Sequence, residues 1–218
     1  MNYLAHGYRF VDEPMYAAGT AVPDWLSVAD RKTRIRSRTV HAVLQDLNPE
    51  AKLLANGMLQ HLADDDRFHR SPTFLMLESE IGQRFRRLMP DAYDHRPGFL
   101  GHILTELLLD AVLVERQPEL LRRYYGALEH IEPADVQKIV NTVAARPAEN
   151  LSVFISQFCR VKFLYDYLDD RLLLSRLNQV LRRVKLLMMD EQVLPVLCDA
   201  RVLLRHHADE LLRAVEQS

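Results

Sequence analysis

Between Ile103 and Val114 the chain is almost wholly apolar, yet Glu106 and Asp110 interrupt the run. With His102 they stand at i, i+4 and i+8, and Thr105 lies beside them. Apolar residues at nearly every angular position require a helix enclosed on all sides. Its polar residues then form one stripe along that helix. Burying two carboxylates costs several kcal/mol unless a positive group faces them. Two partners satisfy this requirement. Core arginines would make the stripe a structural network. A divalent cation would make it a site, because imidazole and carboxylate together suit Mn, Fe, Zn or Mg.

A second stripe has the same form. His61, Asp65 and His69 again stand at i, i+4 and i+8, on a segment whose Leu54, Met58 and Leu62 mark a packed face. A His-x-x-x-acid pair lets two side chains converge on one ion. With 9 histidines and 30 acidic residues in 218, roughly one such pair is expected by chance. Three occur, the third being His206 with Glu210 on an amphipathic C-terminal helix, where a solvated surface pair is the expectation. Asp64 and Asp66 are expected to face solvent.

The rest of the chain reads as helix. Apolar residues recur at three- and four-residue spacing, alternating patterns are scarce, and only 7 glycines are present. The expected elements are a short helix from Tyr3 to Phe10, broken by Asp12-Glu13-Pro14, and a less regular stretch from Gly19 to Asp30 in which Pro23 begins a short turn. Thr39 to Leu47 follows, then a helix capped by Asn48-Pro49-Glu50 that runs to about His69. Ser71-Pro72 caps the next, to Leu88. A polar loop spans Pro90 to Pro97, and the apolar helix spans Gly98 to Glu115. Pro118, Pro133 and Pro147 each mark a helix start. Asn150 to Met189 reads as two helices parted near Asp169-Asp170, and Pro195 to Glu216 as the last. The expectation is a single all-α domain over residues 1–218, with about eight to ten helices. Tyr124-Tyr125 reads as an interface on an amphipathic helix. The Leu/Arg segment Leu172 to Met189 reads as an ordinary helix with one buried and one wet face.

Composition excludes several classes. Lys plus Arg is 28 against 30 Asp plus Glu, so no positive excess marks a general nucleic-acid binder. Cys159 and Cys198 are far apart, which argues against a disulfide framework or a thiolate zinc site. No leader is apparent, and the apolar run from Ile103 to Val114 is too short to cross a bilayer. A cytoplasmic location is the expectation.

The N-terminal residues add a resemblance. Met1-Asn2-Tyr3-Leu4-Ala5-His6 resembles the Met-Asn-aromatic-Leu-Ala-His signature of the acyl carrier protein phosphodiesterases. Gly19-Thr-Ala-Val-Pro-Asp24-Trp is similar to that family's Gly-Asn-x-x-x-Asp-Phe segment. The stretch from Gly57 through His61, Asp65 and His69 to Pro72 is similar to its Gly-Ile-x-x-His-Arg-x-Ile-Asp-x-x-Thr-Asp-x-x-Pro block. The motifs cover roughly the first 115 residues. The family is a divergent, all-α branch of the HD-type metal-dependent phosphohydrolases. It removes the phosphopantetheine arm from acyl carrier protein and favours manganese. The resemblance therefore implies an HD-like fold, a divalent metal with Mn preferred over Fe, Zn or Mg, and acyl carrier protein or another phosphorylated substrate as partner. It carries His6, Asp24, His61 and Asp65 onto metal-site positions, with His102 and Glu106 on a later ligand helix. This chain departs from the pattern at Thr20, Leu62 and His69, where the family has Asn, Arg and Asp. Those changes point to a relative with another substrate.

Residues and resemblance together set one expected function, hydrolysis of a phosphodiester by metal-activated water. His6, Asp24, His61, Asp65, His102 and Glu106 supply ligands at a junction of four helices. Asp110 orients His102 or accepts a proton, and His69 is a further ligand or protonates the leaving oxygen. The basic run Arg31, Lys32, Arg34, Arg36 and Arg38 steers an acidic or phosphorylated substrate. Two alternatives stand beside this reading. One is a catalytically silent helical scaffold that binds a partner. The other is a metal hydrolase of nucleotides or phospholipid headgroups.

Overall fold

A computed structural model of the chain describes residues 1–89 and 96–216. Among the described residues 82% are helical and no strand occurs, so the fold class is all-α as expected. The loop expected over Pro90 to Pro97 lies largely outside the described residues, as does His95. The described chain falls into two packing units. One comprises Met1 and the described residues of 67–117 and 164–218, and the other residues 2–66 and 118–163.

The first unit is built on α5 (Pro72–Leu88), α6 (Arg96–Arg116), α10 (Asp170–Arg183) and α11 (Leu194–Glu216). Ser71 caps α5 by accepting from the Phe74 amide at 3.1 Å. Phe74, Leu77, Ile81 and Phe85 then form its buried face, at the spacing that one helical stripe requires. Helix α6 is enclosed on most sides, as its composition demands. It runs past the apolar run at both ends, so its 21 residues, with an 18-residue stretch of mean hydropathy 1.5, do reach what a membrane crossing needs. Its setting is a protein core, because 72% of that stretch is buried. One buried arginine of this unit, besides Arg96 on α6, is Arg201. It pairs with Asp170 at 2.6 Å and Glu115 at 3.4 Å and donates to the Tyr167 carbonyl at 2.8 Å.

The second unit contains α1 (Tyr3–Gly7), α2 (Pro14–Ala29), α3 (Ser37–Val43), α7 (Glu119–Leu128), α8 (Pro133–Val143) and α9 (Leu151–Val161). It also holds most of α4 (Pro49–Arg70), whose start is capped as expected, with Asn48 Oδ1 accepting from the Ala51 amide at 2.8 Å. Trp25, Tyr3 and Tyr125 pack against the ring of Phe158 at its centre. Tyr124 and Tyr125 are both buried, so the expected interface pair belongs to the core.

Two expectations about proline are corrected. Pro23 sits inside the regular helix α2 and begins nothing. Its missing N–H leaves the Gly19 carbonyl without its usual helical donor, and packing holds the helix together across that gap. Pro147 starts no helix either. The segment 144–150 is a pinned loop, in which Thr33 Oγ1 donates to the Pro147 carbonyl and the Asn141 amide bonds both backbone groups of Ala148.

The contact that positions α2 against α4 is glycine on glycine. A Cβ on Gly57 would stand 2.3 Å from the Tyr16 carbonyl oxygen and 2.8 Å from the Gly19 Cα. Gly57→Ala is therefore expected to cost about 1–3 kcal/mol by overpacking. Gly126→Ala, a helical position with nothing within 4 Å of the added carbon, is expected to stabilise by about 1 kcal/mol. Urea unfolding of the two variants checks both signs.

Candidate metal centre

Within the second unit, His6, His61 and Asp65 bring three ligand atoms within 4.8 Å of one another. The glycine crossing does the positioning. By letting α4 lie on α2, it places His61 Nδ1 2.7 Å from the Thr20 carbonyl oxygen. A carbonyl only accepts, so Nδ1 carries the proton and Nε2 keeps its lone pair in the neutral ring. That lone pair faces Asp65 Oδ2 at 3.4 Å, one helical turn on. In that form two acceptors face each other, so a positive charge belongs between them, a metal ion or, without one, a proton on Nε2 that bonds Asp65.

His6 strengthens the requirement. It lies on α1, stacked on His61 with ring centroids 3.8 Å apart and planes 26° apart. It is fully buried, 0% exposed, and neither ring nitrogen makes a hydrogen bond. Both nevertheless face carboxylates, Nε2 at 3.2 Å from Asp65 Oδ1 and Nδ1 at 3.7 Å from Asp64 Oδ2. Asp65 is 34% exposed and gives the triad its open side. Burial alone would raise its carboxyl pKa, but the two imidazoles win and hold it well below the usual carboxylate range.

Asp64, expected at the surface, is 0% exposed. Arg9 approaches its Oδ2 at 3.3 Å and Gln60 donates to Oδ1 at 2.7 Å, while Tyr16 reaches Gln60 at 3.4 Å. Asp64 thus backs His6 on the side away from Asp65. The sequence signal for this was the spacing Leu54, Met58, His61, Asp64, Phe68, which continues one buried face through the aspartate. Asp66 is exposed as expected.

The other expected ligands do not join this triad. His69, His102 and Glu106 form a separate group in the first unit. Glu106 Oε1 receives His69 Nε2 at 2.9 Å and His102 Nε2 at 3.5 Å, and lies 3.2 Å from the Met1 ammonium. Burial would raise the Glu106 pKa, but the ammonium and the two imidazoles hold it far below the carboxylate range. For His102, burial opposes protonation. Glu106 and Glu78 override it, and its pKa is raised. The expected orienting role of Asp110 is corrected here. His102 Nδ1 meets Glu78 Oε1 at 3.1 Å and its Nε2 faces Glu106. Asp110 is buried on α6, two turns and about 12 Å along the axis from His102.

Asp24 lies part-buried inside α2 and is not one of the residues whose ligand atoms converge. Arg31, Arg34, Arg36 and Arg38 are all exposed. The segment alternates, with Thr33 and Ile35 turned inward and Lys32, Arg34 and Arg36 outward, which makes a basic strap along the second unit. On α11, His207 rather than His206 meets Glu210, at 3.2 Å.

Both triads contain two imidazoles and one carboxylate. That set holds Zn or Fe(II) in proteins with three protein ligands and leaves positions open for water and substrate. The residues present fit a divalent ion of this class. No family model, curated protein or solved structure matches the chain.

Two pH responses follow. Asp65 has a depressed folded-state pKa, so its stabilising contribution is present above the unfolded value of about 3.9 and is lost as pH falls through the folded one. In metal-free protein, the stability gap between wild type and Asp65→Asn should narrow as pH falls below about 4, as urea unfolding would report. Glu106→Gln removes a principal group that raises His102, so the His102 ring should titrate at lower pH than in wild type, as read by NMR.

Proposed function

We propose that the chain is a metal-dependent hydrolase of phosphodiesters, with the ion held by His6, His61 and Asp65. The observation that carries this reading is His6, a fully buried imidazole without a hydrogen bond, facing carboxylates through both nitrogens. A structural histidine in a core is normally satisfied. A buried imidazole aimed at carboxylates through both nitrogens suits a metal ligand. An ion held by His6, His61 and Asp65 would supply water of lowered pKa and would polarise a phosphoryl oxygen.

The chain's own residues prepare that chemistry. Thr20 fixes the His61 tautomer through its carbonyl, and Asp64, held by Arg9 and Gln60, backs His6. The half-buried Asp65 marks the side from which substrate reaches the triad. Water attacks phosphorus and gives up a proton as the bond to the leaving oxygen breaks, and the departing alkoxide takes up one proton to leave as the alcohol. Two imidazoles and a carboxylate favour Mn, Fe or Zn, whereas Mg prefers an all-oxygen shell. The choice of a phosphodiester rests on the resemblance to acyl carrier protein phosphodiesterases over the N-terminal motifs. The exposed strap of Arg31, Arg34, Arg36 and Arg38 suits an acidic carrier protein as the docking partner. Two free cysteines accord with a cytoplasmic location.

The test uses Mn-loaded protein with bis(p-nitrophenyl) phosphate and with phosphopantetheinylated acyl carrier protein. His6→Ala, His61→Ala and Asp65→Asn are each expected to lower turnover by more than roughly 100-fold, the upper range for losing an outer partner. Arg34→Ala with Arg36→Ala should raise KM for the carrier protein and leave the small diester unaffected. Equal and negligible turnover in wild type and variants, with no retained Mn, Fe or Zn, would overturn the hydrolase in favour of a helical scaffold.

A further inference from the structure

We propose that His69, His102 and Glu106 hold a second divalent cation, with Glu78 as the carboxylate that orients His102. This assignment does not depend on the hydrolytic reading, because every residue in it lies in the first unit.

The local construction repeats that of the first triad with different parts. Helices α5 and α6 meet at glycine. A Cβ on Gly101 would stand 2.2 Å from the Glu78 carbonyl oxygen and 2.9 Å from the Gly82 nitrogen. That approach sets the Glu78 side chain beside His102, where Oε1 lies 3.1 Å from Nδ1. A carboxylate at Nδ1 keeps the proton there and leaves Nε2 as the donor, the arrangement that metal-binding histidines share. His102 and Glu106 are one turn apart on α6, as His61 and Asp65 are on α4.

A second imidazole completes each set. His69 stacks on His102 with centroids 4.9 Å apart and planes 17° apart. Phe74 stands edge-on to both rings, at 4.9 Å from His69 and 5.0 Å from His102, and restricts their rotation. Both Nε2 atoms point at one oxygen, Glu106 Oε1, which the Met1 ammonium also approaches. With the His102 proton held at Nδ1 by Glu78, the His102 Nε2 lone pair, His69 Nε2 and a Glu106 oxygen lie within 4.8 Å of one another, a spacing that a single divalent ion can bridge.

The two centres differ in access. His69 and His102 are about one-third exposed, against a fully buried His6, so the second ion is the more readily exchanged. An imidazole pair with one carboxylate suits Zn or Mn.

The experiment counts ions. Full-length protein stripped with chelator is titrated with Zn2+ and, separately, with Mn2+. Bound metal is measured by mass spectrometry after desalting and by calorimetry. Wild type is expected to take two equivalents, His61→Ala one, His102→Ala one, and the double variant none. Glu78→Gln keeps the side-chain shape, and circular dichroism verifies its fold. It should weaken only the second binding event, by roughly 10- to 100-fold. The proposal fails if wild type takes a single ion that His102→Ala retains, or if Glu78→Gln leaves both events unchanged. It also fails if His61→Ala and His102→Ala each abolish the same single equivalent. The count involves no phosphodiester, so it stands or falls apart from the hydrolysis assay.

Discussion

The contact between Gly19 and Gly57 is the constraint on which the first triad depends. Helices carrying ordinary side chains pack with axes 8–10 Å apart, and a side chain at either position would hold α2 and α4 further from each other. Only at the observed approach does the His61 ring reach the backbone of α2. From that bond follow the tautomer, the direction of the Nε2 lone pair and the need for a positive charge at Asp65. The acidic and basic side chains of the site come second in this hierarchy. They act at positions that the absence of two methyl groups has set.

Much of the secondary structure was legible because its signals are local. Asn48 and Ser71 cap the helices they were expected to cap, and the stripes on α4 and α6 have the period that predicts convergence of side chains one turn apart. Pro23 was misread because a proline inside a helix is normally a break, and the packing that overrides it comes from residues distant in sequence. Asp64 was misread because its neighbours Asp65 and Asp66 suggested a solvated run. The burial of one aspartate among three depends on the angular position of the core and on Arg9, more than 50 residues away. Glu78 gave no signal at all, since a glutamate on an amphipathic helix is usually wet. Its partner became apparent only with the glycine crossing of α5 and α6.

Five of the six expected ligands, joined by His69 and without Asp24, divide into two triads of the same composition. Periodicity can place a histidine and an acid on one face of a helix, but it does not say which third residue arrives from elsewhere. His6 joins His61 and Asp65, whereas His69 joins His102 and Glu106, although His69 follows Asp65 by a single turn of the same helix. The third residue depends on which helix passes over each pair, and that is a property of the tertiary structure.

The group that fixes the proton on His61 is a main-chain carbonyl. Whatever residue occupies position 20 supplies the same oxygen, so this control is encoded in the placement of a helix rather than in the identity of an amino acid. A survey that truncates side chains one by one would pass over it, and sequence divergence at position 20 leaves it intact. Changes that tilt or shift α2 would act on it directly, and they can lie far from any ligand. The chemistry of the centre is therefore inherited through backbone geometry, and it can persist where its supporting residues have drifted beyond recognition.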